Sequence, residues 1–320
     1  MEYRRLGRAG MKVSAVSLGA WITYGGTVED DTAAQCLRAA IEQGINFIDV
    51  ADIYAKGRAE EVVGRVVKDY TRSDLVISSK AYWPMSDNVN DRGLSRKHLM
   101  ESCEKSLKRL GTDYLDIYFC HRYDPNTPVE EAVRAMDDLV RQGKVLYWGT
   151  SVWNAAQLED AVGTARLYNC HLPQTEQPRY NMLDRHIEPE IMPIAAKHGI
   201  GIVVWSPLAQ GILTGKYNDG IPADTRAGGG GQSEQEIREE LTEETLPKLK
   251  KLGAFAAQLG VSMSQLALAW CLRRPEVSSV ITGASRPQQV YDNVKAAEIK
   301  LSATELAKIE EILANDPAKQ

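Results

Sequence analysis

No run of about 18 apolar residues occurs in the 320-residue chain, so no transmembrane helix is expected. The opening segment, MEYRRLGRAG, lacks the apolar core of a secretory signal. The five cysteines (Cys36, Cys103, Cys120, Cys170 and Cys271) are odd in number and form no C-x-x-C pair. That argues against a disulfide framework and for a reducing compartment, the cytoplasm. Positive charge is not in excess: the net charge is −5, which speaks against nucleic acid or an anionic membrane surface as the main partner. No H-E-x-x-H motif or cysteine–histidine cluster supports a metal. GILTGKY is not a P-loop, because only three residues separate Gly211 from Gly215 and Tyr217 follows the lysine.

What is present is an alternation of short apolar runs with amphipathic stretches. Strands are predicted at 14–20, 46–50, 75–80, 114–121, 145–151, 174–177, 200–207 and 277–284. Runs such as YLDIYFC and GIVVWSP suit strands buried on both faces of a parallel sheet. Helices are predicted at 30–43, 60–69, 95–110, 129–142, 155–168, 187–198, 263–273 and 287–297. Gly44 and Gly111 are placed to close the helices before them. Eight such units in one series imply a closed (β/α)8 barrel of the TIM type. An open doubly wound sheet is the competing architecture, but its G-x-G-x-x-G turn is missing. Segment 3–17 is predicted as a hairpin that closes the bottom of the barrel, 218–244 as a long loop, and 302–314 as an added helix. No linker divides the chain, so residues 1–320 are expected to form one domain.

Chemistry in such a barrel sits at the C-terminal strand ends. Those ends carry Asp49 with Tyr54 five residues on, Lys80, His121, Ser151, Gln177, the pair Trp205–Ser206, and Gly283 with Ser285. Ionisable groups at neighbouring apolar strand ends are costly unless they pair with one another. Asp, Tyr, Lys and His without a nucleophilic serine or cysteine point to proton transfer. A tyrosine is protonated at neutral pH, and a nearby ammonium held by Asp49 is expected to lower its pKa. His121 can donate to the same carbonyl oxygen. A hydride is then required, and a nicotinamide cofactor is its natural source. Trp21, Tyr82, Trp83 and Trp153 fall near strand ends, where they either line an aromatic pocket or pack the rim.

NFIDVADIYAKGRAEEVVG, VISSK, YLDIYFCH, WGTSVWN, QTEQPRYNML, VVWSPLAQGILTGKY and ITGASRPQQVYDN, in this order, resemble the aldo-keto reductase superfamily. The similarity spans nearly the whole chain and is nearest to the voltage-gated potassium channel β-subunit-like reductases. It implies that Asp49, Tyr54, Lys80 and His121 are the catalytic tetrad, with Tyr54 the general acid. Ser151 and Gln177 would hold the nicotinamide carboxamide, and Trp205 would stack on its ring. Ser206, Pro207, Leu208, Gly211 and Lys216 would surround the pyrophosphate and ribose. Arg226 would lie near the adenosine 2′-phosphate, Gly283, Ser285, Gln289 and Asn293 at the adenosine end, and Trp21 beside the cofactor. The long glycine loop would fold over the cofactor as a belt. Lys216 and Arg226 favour NADPH/NADP+ over NADH, because a 2′-phosphate needs cationic partners.

Three positions depart from these relatives. The mammalian channel β-subunits carry asparagine where His121 stands, so histidine restores the full tetrad and favours a working reductase of aldehydes or ketones. Val152 stands where relatives have arginine or asparagine, and Asp292 replaces a usual glutamate. The implied partner is a small-molecule carbonyl substrate, with a homo-oligomer, a tetramer or larger, also implied. The alternative function is a cofactor-binding regulatory or redox-sensing protein. Only two residues precede Tyr3, which on this reading leaves no inactivating extension. A cofactor-free isomerase is the weaker third option, since it would leave Lys216 and Arg226 without a purpose.

Overall fold

The computed structural model describes residues 1–21, 24–26, 28–218, 220–221 and 232–319. Eight parallel strands close into a barrel: β3 (Val16–Gly19), β4 (Phe47–Asp49), β5 (Val76–Ala81), β6 (Leu115–Cys120), β7 (Val145–Thr150), β8 (Thr175–Glu176), β9 (Gly201–Val204) and β10 (Val277–Thr282). They neighbour one another in chain order, and β10 pairs with β3 to complete the ring. This is the predicted (β/α)8 architecture. Before the barrel, β1 (Tyr3–Arg5) and β2 (Lys12–Ser14) form the predicted antiparallel hairpin.

The helices fill the outer layer. They are α1 (Asp30–Glu42), α2 (Arg58–Val67), α3 (Arg96–Leu110), α4 (Val129–Arg141), α5 (Ala155–Leu167), α6 (Ile191–His198), α7 (Gln232–Glu240), α8 (Thr245–Gln258), α9 (Met263–Leu272), α10 (Pro287–Asn293) and α11 (Ala303–Leu313). Their starts follow local chemistry. Asn154 and Gln157 cap α5 reciprocally, as Ser262 and Gln265 do α9 and Ser302 and Glu305 do α11. Each arrangement satisfies amide groups that a helix start leaves unpaired.

The apolar side chains form two bodies. The larger lies between strands and helices. The smaller lies inside the barrel, where Phe47, Val76, Ile117, Phe119, Val203 and Ile281 meet Leu6, Ala9 and Val13 from the hairpin. The hairpin is tied to the N-terminal strand ends, with the Arg8 amide donating to the Gly199 carbonyl at 2.8 Å. Leu6, Ala9 and Val13 therefore plug the barrel floor. Strand side chains alternate, so the positions that are apolar near the floor continue as polar ones at the mouth. Phe47 is followed inward by Asp49, Ile117 and Phe119 by His121, and Val203 by Trp205.

Segment 218–244 is not the continuous loop predicted, because α7 occupies its second half. Among its described side chains only Ile237 is buried, so the helix has too little apolar periodicity to announce itself. Helix α8 was not foreseen either. It carries Pro247 and Gly253, and Pro247 lies in the first turn, where the missing N–H is not needed. Most predicted elements are trimmed at their ends, three of them by four residues. Strand 200–207 stops at Val204, because Ser206 takes a left-handed backbone. Helix 187–198 starts at Ile191, and helix 287–297 gives way after Asn293 to a 3-10 turn.

Gly149 on β7 tests the closeness of the barrel wall. A Cβ there would lie 2.4 Å from the Thr175 carbonyl oxygen and 3.1 Å from the Phe119 ring. Gly149→Ala is expected to cost about 1–3 kcal/mol in urea unfolding, the usual penalty of overpacking. Unchanged stability would show that β7 and β8 separate freely.

Candidate active site

The four tetrad candidates reach the mouth by different routes. Asp49 ends β4, Lys80 sits one residue before the end of β5, and His121 follows β6. Tyr54 lies in a 3-10 turn after β4, where Ala55 and Lys56 adopt left-handed backbone. Lys56 anchors this turn, its Nζ donating to the Pro84 carbonyl at 2.7 Å.

The side chains converge. Lys80 Nζ donates to Asp49 Oδ2 at 2.6 Å, to the Val50 carbonyl at 2.9 Å and to Tyr54 Oη at 3.3 Å. Asp49 Oδ1 accepts from Ser78 Oγ at 2.6 Å and from Gln177 Nε2 at 2.9 Å. Lys80 is fully buried and Asp49 nearly so. The His121 ring meets the Tyr54 ring edge-on at 5.9 Å. Its Nδ1 is buried without a hydrogen-bond partner.

The electrostatic balance differs from the sequence expectation in one respect. Lys80 was expected to pull the Tyr54 phenol down. Burial, reinforced by the Asp49 carboxylate, instead holds it well above its usual value, and Arg122 opposes this. The phenol thus keeps its proton firmly. Burial also lowers the Lys80 ammonium, against the pull of Asp49. His121 lies well below its usual value, through burial and then through the charges of Lys80 and Arg122. Its imidazole is neutral at neutral pH.

Two of the proposed cofactor residues join this centre, Gln177 through Asp49 and Ser151 through Gln177. Ser151 Oγ donates to the Gln177 carbonyl at 2.9 Å. Trp205 meets Trp21 edge-on at 5.9 Å, and its Nε1 is buried without a partner. Beyond Pro207 and Leu208, the chain enters a 3-10 turn in which Ala209, Gln210 and Gly211 are left-handed. Lys216 lies over Gly211: a Cβ on the glycine would sit 2.7 Å from Lys216 Nζ. Gly283 and Ser285 are exposed, and Gln289 Oε1 accepts from the Ser285 amide at 2.7 Å. Asn293 is buried at the end of α10. Arg226 and the glycines 228–231 lie outside the described residues. Just after them, Glu240 of α7 pairs with Arg179, whose guanidinium lies 6.0 Å from the Trp205 ring centroid.

Strained backbone gathers at this end. Eight described non-glycine residues have left-handed φ, and six of them (Ala55, Lys56, Val152, Ser206, Ala209 and Gln210) lie in loops beyond strand C-termini. Such conformations are held in place by their surroundings and concentrate at functional sites.

Of the four rim aromatics, Trp83 faces His121 at 6.4 Å between ring centroids and Tyr82 packs on Trp83. Trp21 is 40% exposed beside Trp205, whereas Trp153 is buried against Tyr123. Trp153 therefore packs the wall. Asp292 is occupied with Ser262 and Gln265 at the start of α9. One mouth residue was not singled out from the sequence: Arg122, whose guanidinium sits over the Trp83 ring at 5.6 Å. Its position directly after His121 was the available signal.

This architecture is a (β/α)8 barrel with a polar mouth. The Aldo/keto reductase family profile matches residues 15–314, and the chain belongs to that family. Its members are in general NAD(P)H-dependent oxidoreductases. The chain is 45% identical over 325 residues to a probable voltage-gated potassium channel subunit beta of Arabidopsis thaliana, covering 100% of this chain and 98% of that protein. A protein of the same description from Oryza sativa subsp. japonica is 44% identical over the same shares. A putative voltage-gated potassium channel subunit beta of Schizosaccharomyces pombe is 45% identical over 98% of this chain and 93% of that protein.

Removing one partner of a buried ion pair strands the other charge, so Asp49→Asn is expected to lose about 3–5 kcal/mol in denaturant unfolding. A loss below about 1 kcal/mol would mean that Lys80 finds another partner or water. The depressed His121 pKa makes its contribution complete above about pH 6.5 and lost as the pH falls below that. Between about pH 7 and pH 5.5, wild type should therefore lose more stability than His121→Asn. Parallel pH profiles would show that the imidazole is free to protonate.

Proposed function

We propose that the chain is an NADPH-dependent reductase of aldehydes or ketones, with Tyr54 as general acid. The observation that carries this reading is the Lys80 ammonium held between the Asp49 carboxylate and the Tyr54 phenol oxygen. Asp49 fixes the ammonium, and the ammonium lies beside the oxygen on which negative charge grows as the proton departs. The high phenol pKa keeps that proton in place until a carbonyl oxygen takes up electrons. Neutral His121, next to Tyr54, positions the same oxygen by donating a hydrogen bond.

The residues present fit a nicotinamide dinucleotide. Three features support this: the Trp205 indole N–H without a hydrogen-bond partner, the Ser151–Gln177 contact that leads on to Asp49, and the left-handed run at 209–211 under Lys216. Ser151 and Gln177 would hold the carboxamide, Trp205 the ring, and Ser206, Pro207, Leu208, Gly211 and Lys216 the pyrophosphate and ribose. Gly283, Ser285, Gln289 and Asn293 would hold the adenosine. Lys216 and Arg226 supply the positive charge that a 2′-phosphate requires, which favours NADPH. When bound, the reduced nicotinamide supplies the hydride. Residues 1–320 work on this reading as one barrel domain in the cytoplasm.

A second reading follows from the printed names of the relatives: a cofactor-binding regulatory partner of a potassium channel. His121 beside Tyr54 favours turnover over this alternative.

Tyr54→Phe should reduce NADPH oxidation with small aldehydes by about 100-fold or more, the scale of general acid catalysis, with cofactor affinity retained. Full activity in that variant removes Tyr54 from its role. Tight NADPH binding by wild type with no turnover of any carbonyl favours the regulatory reading.

A further inference from the structure

Arg122, at the mouth, forms no ion pair with any described residue. Its Nη1 donates to the His121 carbonyl at 2.5 Å and lies 3.5 Å from Ser151 Oγ. Its Nε and Nη2 make no recorded hydrogen bond. Glu176 acts on it electrostatically, yet the Glu176 carboxyl is committed to the Thr150 hydroxyl and the Trp153 amide. Burial pushes the Glu176 carboxyl up to about 7, so at neutral pH its negative charge is only partial. Arg122 is itself half-buried, and burial lowers its pKa.

A partly desolvated guanidinium with free donors favours an anion, and its planar fork matches a carboxylate through two parallel hydrogen bonds. Its location says which anion. Arg122 spans the space between Trp83 and Ser151, against the backbone of His121, and its charge reaches Tyr54 and His121. An anion there shares the mouth with the reacting carbonyl.

We propose that Arg122 reads a carboxylate on the substrate, so that the preferred substrates are aldehydes or ketones that also carry a carboxylate group. This rests on the reductase reading above and names its substrate class. Arg122 is a specificity residue; the hydride and proton transfers are those already assigned.

The test compares kcat/KM, with NADPH, for the three carboxybenzaldehyde isomers against their methyl esters, which keep the ring and aldehyde but lose the charge. For at least one isomer the acid should exceed its ester by about tenfold or more, the scale of a hydrogen bond to a charged group. Arg122→Gln should bring that ratio close to one, and Arg122→Lys should keep part of it. A wild-type ratio near one overturns the proposal. So does a ratio that survives Arg122→Gln, since an arginine that merely supports the His121 carbonyl would affect acid and ester alike. If Arg122→Gln does not fold, an unchanged ratio in Arg122→Lys counts against the proposal and a reduced ratio supports it.

Binding separates this inference from the parent reading. If wild type turns over no carbonyl, the reductase assignment fails. Calorimetric binding of the carboxybenzaldehydes over their esters, weakened in Arg122→Lys, then sustains the carboxylate site, and equal binding of acid and ester refutes it.

Discussion

The mouth of this barrel depends on one buried ion pair. Lys80 and Asp49 leave water together, which is favourable only because the geometry is close and the remaining lone pairs are used. Ser78 and Gln177 complete the Asp49 shell, and the Val50 carbonyl and Tyr54 phenol complete that of Lys80. Through these bonds a single carboxylate links β4, β5 and, across the barrel, β8. Replacing the pair with apolar side chains would save desolvation, but the mouth would then have no charge beside the Tyr54 oxygen.

The two ends of the barrel use opposite physics. At the floor, Leu6, Ala9 and Val13 enter from the hairpin and exclude water by packing alone. At the mouth, polar side chains meet the ends of the strands and the connecting backbone bends into left-handed conformations at Ala55, Val152, Ser206 and Gln210. The packed floor supplies the stability that lets the mouth hold strained turns and a guanidinium with no ion pair among the described residues. Burial at the mouth sets its proton balance. It raises Tyr54 and lowers His121, so the phenol holds a proton and the imidazole is neutral.

Much of the barrel was legible in the chain. Seven barrel strands fall within predicted runs and β5 passes its own by one residue, because strands buried on both faces must be apolar throughout and are bounded by polar turns. The tetrad candidates were legible for the complementary reason: a charge ending an apolar strand has no packing explanation. Helix α7 was not legible, since it is nearly all polar and tied down by Glu240 on Arg179 rather than by an apolar stripe. Arg122 was hidden because a cation in a loop is ordinarily solvated, and only the fold shows it enclosed by Trp83, Ser151 and the His121 backbone.

The sequence by itself determined the order of strands and helices, the inward register of Asp49, Lys80, His121, Ser151 and Gln177, and membership of the aldo/keto reductase family. These follow from periodicity and motif, which are local properties of a chain. The tertiary structure decided the direction in which the Tyr54 phenol is shifted, the bond from Gln177 to Asp49 across the barrel, and the enclosure of Arg122 by Trp83, Ser151 and the His121 backbone. Each of these depends on desolvation and on distances between groups far apart in the chain, which exist only once the barrel has closed.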